Sequence, residues 1–479
     1  MRNKHLALVA CLSVAMMASS LTVGAGAITT GVAQKTVDVN GFDLKQPLIP
    51  VTDTFTLKNG LRVLVAEDHS VPVASVVIIY DVGARNEQKG RSGFAHLFEH
   101  MMFEGSENVG KTEYFKYIQS TGGGVNASTH PDFTDYFEKV PSNQLELALW
   151  LESDRMRSLK VTPENFENQL QTVKEEKRLR IDNQPYIPAN LQMEELAYDN
   201  WNNQHAVIGS FADLEASSIQ DVRQFFKTHY APNNAVMAVV GDVDSKQVRE
   251  LVNKYFGTIP AQTLPPKPDV AEKPQTKQKY LKVDDPHAQM PAFWVTWKAP
   301  AKRDGEDYYA LGIIEKVLSA GTSSRLYQRM VKGDQVALSA DASYDERRGP
   351  GLFESMVVVK EGVNPEKVRD ILWDEVNQLK KTPISKQELD KAKNQILRDM
   401  FSSNSYYSLQ RSLGRGELLA QYTSFFGDPG LLDQDIDGYL KVTPDDVQKA
   451  AQHILTTDGA TVVDVVPTEG KAGSSKSTK

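Results

Sequence analysis

Two histidines and a glutamate lie close together near residue 100, in the order His96-Leu97-Phe98-Glu99-His100. Residues four apart on a helix are neighbours, so the imidazoles of His96 and His100 can point at one ion, with Glu99 beside them. The competing interpretation is that both histidines are surface or packing residues of an amphipathic helix. The order of the three residues favours a metal site.

The apolar pattern predicts the element that holds these histidines. Apolar residues recur at the spacing of one buried helical face, at Phe94, Leu97, Phe98, Met101 and Met102. Residues 93–103 are therefore predicted to form a helix with one packed face. A catalytic zinc ion takes three protein ligands and leaves its fourth position to water. Two histidines thus leave one ligand to be found elsewhere in the chain.

A second predicted helix, residues 163–178, offers the third ligand. It follows Thr162 and begins with proline, which is favoured at the first helical position. Its buried stripe consists of Phe166, Leu170 and Val173. At about 100° per residue, Glu176 borders this stripe, whereas Glu175 lies roughly opposite and faces water. A solvated run of charges explains Glu175, so Glu176 is the better ligand candidate.

With these residues the chain resembles the pitrilysin/insulinase family of zinc metallopeptidases, which includes the mitochondrial processing peptidase. The His-x-x-Glu-His order is the inverzincin motif. The resemblance implies that His96, His100 and Glu176 bind one Zn²⁺ per chain and that Glu99 activates water. It covers nearly all of residues 51–468 and is most specific over residues 55–260.

A glycine-rich stretch, Gly122-Gly123-Gly124, precedes Val125-Asn126-Ala127. No Lys-Ser or Lys-Thr follows, so it is not a phosphate loop, and its surroundings favour the edge of a sheet. The resemblance implies that Asn126 and Ala127 bind the backbone of a peptide substrate, which adds to the sheet as an extra strand. The alternative is a turn before the predicted strand 134–140.

Two features depart from the family pattern. Gln169 stands where active relatives often carry a second glutamate that supports the site. Relatives with a complete chamber also contribute an Arg and a Tyr, seven positions apart, and here Val331 and Leu338 occupy those positions. Arg415 and Tyr422 have the spacing but lie in another element, so we interpret them as coincidence.

The missing Arg/Tyr pair predicts a division of labour between two chains. We expect this chain to be the catalytic subunit of a heterodimer whose homologous partner supplies the pair and the other half of a chamber. Such a chamber would take peptides or unfolded short proteins. The competing hypothesis is a non-catalytic, peptide-binding subunit of such a complex.

The second half of the chain repeats the plan of the first. Residues 309–321 can be aligned with residues 93–105, which puts Gly312 on His96, Glu315 on Glu99 and Lys316 on His100. The second copy has therefore lost its metal site. We predict an α+β fold of two homologous α/β domains, each a mixed and mainly antiparallel sheet packed with helices, together forming half of a clamshell.

The predicted segments run in this order: signal peptide 1–27, N-terminal arm 28–50, zinc-binding peptidase domain 51–260, proline-rich linker 261–279, degenerate homologous domain 280–468 and disordered tail 469–479. A positive start, an uncharged apolar run and small residues up to Ala27 identify the signal peptide. We expect export to the periplasm without a stable membrane span after cleavage. An uncleaved anchor or lipidation at Cys11 are the alternatives.

Charge and cysteine content argue against a nucleic-acid partner and against thiol chemistry. The net charge of −8 at pH 7 argues against a nucleic-acid partner. Cys11 is the single cysteine, so the mature chain would hold no disulfide and no thiolate ligand. The histidines outside the motif and the leader lack a spaced His or acid constellation and are interpreted as structural: His69, His130, His205, His229, His287 and His453.

Overall fold

The computed structural model of the protein describes residues 47–402 and 407–468. The predicted signal peptide, the predicted tail and most of the predicted arm lie outside these residues. Within the described ranges, no helix is both long and apolar enough to cross a membrane.

The first sheet has six strands. They are β1 Asp53–Thr56, β2 Arg62–Glu67, β3 Val73–Tyr80, β4 Gly124–Thr129, β5 Thr134–Pro141 and β6 Ala235–Gly241. Their order is β1-β2-β6-β3-β5-β4. β2 and β6 run parallel, and all other neighbours are antiparallel. β1 and β2 form a hairpin around Asn59-Gly60, where Gly60 has a φ of 90° that favours glycine.

The second sheet repeats the first. Its strands are β7 Lys279–Asp285, β8 Ala292–Ala299, β9 Ala337–Asp345, β10 Gly351–Val359 and β11 Ala460–Pro467. Their order is β7-β11-β8-β10-β9. β7 and β11 run parallel, and the other pairs are antiparallel. Without β1, the first sheet has the same strand order and directions, so the predicted α+β fold of two homologous units is confirmed.

Helices pack on both sheets. In the first half they are α1 Phe94–Met101, α2 Glu113–Ser120, α3 Leu145–Ser158, α4 Pro163–Lys177, α5 Ile187–Ala197, α6 Trp201–Gln204, α7 Phe211–Glu215, α8 Ile219–His229 and α9 Ser245–Phe256. In the second half they are α10 Glu306–Ser319, α11 Pro365–Lys381, α12 Lys386–Phe401, α13 Ser412–Phe426, α14 Leu431–Lys441 and α15 Pro444–Ile454. α8 and α15 occupy equivalent places before the parallel strands, and both begin with a capping box.

Each half contributes one helix that packs on the sheet of the other half. α5 packs on the second sheet, where Met193 shares a buried cluster with Trp294 and Val463. α13 packs on β3 and β6 of the first sheet, where Leu419 shares a cluster with Val77. The two sheets are therefore joined by two exchanged helices.

The predicted linker contains no helix or strand between Phe256 and Lys279. It is nevertheless fixed in place. Glu272 accepts a hydrogen bond from the backbone N–H of Asn200 at 3.1 Å and pairs with Lys298 of β8 at 2.7 Å. The linker thus contacts both halves, and the residue boundaries of the domains remain a prediction.

Candidate metal centre

The two histidines of the motif lie on α1, in the place that the apolar pattern predicts. The opposite face of α1 is buried in the core of the first half through Phe94, Leu97, Phe98 and Met101. This packing leaves His96 and His100 on the face of α1 that points away from this core, where their side chains are 12% and 15% exposed. Their ring centroids are 4.8 Å apart and the rings are nearly perpendicular, at 80°.

Glu176 reaches the histidines from the last turn of α4. Thr162 caps this helix by accepting a hydrogen bond from the backbone N–H of Asn165 at 3.2 Å. Glu176 Oε2 lies 3.7 Å from His96 Nε2 and 3.3 Å from His100 Nε2. One ligand atom from each of the three side chains lies within 4.8 Å of the others. The structure therefore brings the three predicted ligands together.

The donor set fits a zinc ion. Two imidazoles and one carboxylate are the ligands of several catalytic zinc sites. His100 Nε2 is buried and makes no hydrogen bond within the described residues, although it faces the Glu176 carboxylate. Burying a ring nitrogen without a hydrogen bond costs free energy. A cation between this nitrogen and the Glu176 carboxylate would satisfy both groups.

The charges of the cluster suit a cation as well. Burial, with His100 nearby, lowers the pKa of His96 to about 3, so this imidazole is neutral. Burial opposes ionisation of Glu176, but His100, His96 and Arg180 outweigh it and lower the pKa to about 2. Burial also opposes protonation of His100, yet Glu176 and Glu99 raise its pKa. A cation bound at the cluster would take the place of the His100 proton.

Glu99 lies one residue before His100 and is 3% exposed. Thr129, the last residue of β4, donates a hydrogen bond from Oγ1 to Glu99 Oε2 at 2.7 Å. Burial raises the pKa of Glu99 to about 7, although His100 and Thr129 act against this shift. One carboxylate oxygen is thus fixed by the sheet.

The outer contacts of His100 lead to a carboxylate, although residue 169 itself is neutral. His100 Nδ1 lies 3.2 Å from Gln169 Oε1, and Gln169 Nε2 donates to Glu104 Oε1 at 2.6 Å. Glu104 in turn pairs with Lys111 at 2.6 Å. The carboxylate of Glu104 therefore connects to His100 through the side-chain amide of Gln169. For His96, whose Nδ1 is buried, no such partner is present in the described residues.

β4 forms the outer edge of the first sheet. It pairs with β5 on one side, and within the described residues no strand pairs with its other side. Asn126 and Ala127 lie in the middle of this strand, and Ala127 is 2% exposed. The predicted edge strand is therefore present, and its end at Thr129 contacts Glu99.

The positions aligned with the Arg/Tyr pair lie in the second half. Val331 packs at the margin of the second core, and Leu338 is 53% exposed on β9. Arg415 and Tyr422 both lie on α13, where they are engaged by Asp68 and Asp435. Arg415 thus links the second half to Asp68 of the first half, whereas Tyr422 and Asp435 both lie in the second half.

Where the first copy has its candidate metal ligands, the second copy has an ammonium group. Lys316 Nζ lies 3.0 Å from Glu315 Oε1 and 3.3 Å from Asp399 Oδ2 near the end of α12. Gly312 leaves room for Tyr439, because a Cβ at Gly312 would lie 2.7 Å from the tyrosine ring. The predicted loss of the second site thus has a structural counterpart.

Several histidines outside the motif have acidic partners in space. His69 contacts Asp242 at 2.7 Å, and His453 contacts Asp307 at 2.6 Å. His205 lies 3.0 Å from Glu87. Sequence reasoning missed these pairs and the roles of Glu104 and Thr129, since no periodic pattern connects residues so far apart in the chain.

A duplicated α+β chain that carries His-x-x-Glu-His in its first copy belongs to the inverzincin class. The comparisons agree with this class. The family model described as "Insulinase (Peptidase family M16)" matches residues 62–207. The model described as "Peptidase M16 inactive domain" matches residues 217–396.

The chain is also similar to zinc protease PqqE of Helicobacter pylori. The two are 31% identical over 423 residues, which is 87% of this chain and 93% of that protein. The chain therefore belongs to the insulinase family, peptidase family M16.

Solved structures support the same fold. A protease from Helicobacter pylori superposes with a TM-score of 0.81 at 28% identity, over 87% of this chain and 99% of that chain. The periplasmic protease PqqL from Escherichia coli superposes with a TM-score of 0.72 at 19% identity, over 88% of this chain but 48% of that one. The fold of this chain thus corresponds to about half of the longer protein.

Proposed function

We propose that this chain is a zinc-dependent endopeptidase that binds one zinc ion through His96, His100 and Glu176. One observation carries the proposal. The ligand atoms of the three residues lie within 4.8 Å of one another, and His100 Nε2 is buried without a hydrogen-bond partner in the described residues. Membership of a family whose relatives are named zinc proteases supports it.

The chain's own residues divide the chemistry. Zinc, when bound, supplies a Lewis acid that polarises the scissile carbonyl and acidifies water. Glu99 accepts a proton from the attacking water and delivers it to the leaving amine. Thr129 holds the Glu99 carboxylate in place through its 2.7 Å hydrogen bond.

The edge strand β4 explains the substrate class. An extended peptide can add to the open side of β4 through main-chain hydrogen bonds at Asn126 and Ala127. Since Thr129 at the end of β4 contacts Glu99, a peptide on this strand runs toward the base. Only an extended chain can pair in this way, so we expect peptides or unfolded short proteins as substrates.

Zinc content and cleavage of an unstructured peptide test the proposal. We expect the wild type to bind one zinc ion and to cleave. Glu99→Gln keeps its zinc and loses about 100-fold or more in rate, because the proton acceptor is gone. Glu175→Gln, on the exposed side of the same helix as Glu176, is the matched control and behaves as wild type. Cleavage by Glu99→Gln at the wild-type rate contradicts the assigned base.

The second part of the proposal is a catalytic subunit that works with a homologous partner. Val331 and Leu338 cannot supply the hydrogen bonds of an Arg/Tyr pair, and an aligned periplasmic protease is about twice as long as the matched region. We expect cleavage to rise strongly when a homologous chain without the zinc motif is added. Full activity of this chain alone contradicts the partner.

A non-catalytic, peptide-binding subunit is the alternative function. The neutral Gln169 and the absence of the Arg/Tyr pair at Val331 and Leu338 keep it open. The same experiment distinguishes the two, since a binding subunit would hold the peptide without cleaving it, with and without its partner. Export to the periplasm remains an expectation from residues 1–27.

A further inference from the structure

The N-terminus of α1 is capped by a buried carboxylate from outside the helix. Glu87 accepts hydrogen bonds from the backbone N–H of Gly93 at 2.9 Å and of Ala95 at 2.7 Å. Its side chain has no exposed surface. A negative charge at a helix N-terminus is favourable, and here it orients the helix that carries His96 and His100.

The partner of Glu87 is a histidine whose two ring nitrogens both face acceptors. His205 Nε2 lies 3.0 Å from Glu87 Oε2 and 2.9 Å from the carbonyl oxygen of Ala84. His205 Nδ1 lies 2.8 Å from the carbonyl oxygen of Trp201. Carbonyl oxygens only accept, so both nitrogens must carry a proton and the ring is an imidazolium.

The surroundings of the ring agree with a positive charge. The ring stacks on the indole of Trp201, with centroids 4.0 Å apart and an interplanar angle of 13°. Arg85, in the turn that supplies the Ala84 carbonyl, has its own counter-ion in Asp132 at 2.8 Å. Burial lowers the pKa of His205, but Glu87 and the two carbonyls outweigh it and raise the pKa above its usual value.

The segment that follows His205 also contacts the residues just before α1. Asp213 accepts hydrogen bonds from Ser92 N at 3.0 Å and from Ser92 Oγ at 2.5 Å. Gly209 has a φ of 75°, and a Cβ there would lie 2.4 Å from the carbonyl oxygen of Ser92. The two backbones are therefore packed too closely for any other residue.

The far end of the same segment contacts α4, the helix of Glu176. Glu215 pairs with Lys174 at 2.6 Å. The ring of Phe211 lies 5.0 Å from Lys177 Nζ and 5.1 Å from Arg178 Cζ. Residues 205–215 thus touch both helices that carry the candidate metal ligands.

We propose that residues 205–215 form a brace that sets the spacing of α1 and α4 for metal binding, and that its end at α1 is an imidazolium of His205 buried against Glu87. His205 and Glu87 are positioning residues, since neither contacts the metal cluster. The inference rests on the zinc site of the proposed function and does not require cleavage.

The test measures zinc binding and the protonation of His205 in the full chain. We expect His205→Gln and Glu87→Gln to weaken zinc affinity by about 10- to 100-fold, as loss of outer contacts does in other zinc proteins. Affinity is measured by competition with a chelator, using zinc alone. His453→Gln removes an exposed His–Asp pair in the second half and is the matched control without effect.

The pH dependence separates the charge of His205 from a merely structural role. A histidine with a raised pKa contributes fully at low pH, and its contribution is lost as the pH rises through that pKa. Burial raises the pKa of Glu87 as well, so the pair is charged only between the pKa of Glu87 and that of His205. The ratio of the dissociation constants of His205→Gln and wild type should therefore be largest between these two pKa values and fall toward one as the pH rises through the pKa of His205. His205→Lys keeps a cation beside Glu87, so it should regain much of the affinity and lose this pH dependence.

Nitrogen NMR of ¹⁵N-histidine protein reports the charge directly. We expect a resonance pair with both nitrogens protonated at neutral pH, absent from His205→Gln, or from His205→Lys if the glutamine variant does not fold. A His205 that loses its second proton at or below the usual pKa of histidine, or zinc affinities of the variants equal to wild type at every pH, overturns the brace. A chain that binds zinc but cleaves no peptide, with or without a homologous partner chain, would end the proposed peptidase function and leave this result standing.

Discussion

Gln169 links His100, a candidate metal ligand, to a carboxylate that lies outside the motif. It faces His100 Nδ1 with its carbonyl oxygen and donates its amide to Glu104. The amide therefore transmits the orientation of Glu104 to the imidazole, and Lys111 holds Glu104 in turn. A neutral residue at position 169 is compatible with a supported zinc ligand.

Removing this amide should weaken zinc binding. We expect Gln169→Ala to raise the zinc dissociation constant by about 10- to 100-fold, because His100 loses the partner that fixes its ring. Gln171→Ala removes an exposed glutamine two residues later on α4 and should leave the constant unchanged. Chelator competition measures both.

The reverse exchange tests the polarity of the link. Gln169→Glu alone sets two carboxylates against each other where Gln169 and Glu104 are now 2.6 Å apart, so it should bind zinc less tightly than wild type. The double variant Gln169→Glu/Glu104→Gln restores one donor and one acceptor and should bind more tightly than the single variant. Equal affinities of the two variants contradict the link.

Among individual residues, the sequence predicts those whose positions follow from the periodicity of a helix. His96, Glu99 and His100 share one helical turn, and the stripe of α4 distinguishes Glu176 from Glu175. The partners Glu104, Thr129 and His205 could not be predicted. Each contact joins residues from 30 to 118 positions apart, and it exists only because the sheet and the helices have packed.

Among the elements, α10 and α12 show what becomes of a metal site that loses its ligands. Lys316 occupies the place aligned with His100, and Asp399 lies near the end of α12 as Glu176 does near the end of α4. The Lys316 ammonium group thus lies beside two carboxylates, in the place where the first copy would bind a metal cation. The second copy keeps the packing of the site without its chemistry.

Replacing this ammonium should cost stability. Lys316→Met leaves Glu315 without a cation, whereas Asp399 keeps Arg398 at 2.8 Å. An unpaired charge in the interior costs about 3–5 kcal/mol, but the Glu315 side chain is 24% exposed, so we expect the free energy of unfolding, measured with urea, to fall by about 1–2 kcal/mol. Lys449→Met, at a pair 4.0 Å apart and 73% exposed on the lysine, should change little. Adding Glu315→Gln should recover part of the loss; a larger loss would contradict the pairing.

The element boundaries were mostly predictable. The strand at 134–141 and the helix at 163–177 lie within one residue of their predicted limits. The exchange of α5 and α13 between the halves was not predictable, because an apolar helix face carries no information about which of two similar sheets it will cover.

The whole molecule is organised by that exchange. Neither sheet is covered entirely by helices of its own half, and the linker contacts both halves through Glu272. Neither half can unfold without exposing apolar surface of the other. The two homologous units should therefore behave as one cooperative unit despite their separate sheets.

Zinc binding makes this cooperativity measurable. A ligand that binds the folded state alone stabilises it by about 4 kcal/mol at a thousandfold excess over its dissociation constant. If the halves unfold together, zinc held by the first half should slow hydrogen exchange of the core amides in β8, β10 and β11 as much as in β3 and β6. Glu176→Gln, which removes a ligand, should abolish both effects. Protection confined to the first sheet would mean that the halves open independently, and the exchanged helices would then be hinges between two units rather than parts of a single core.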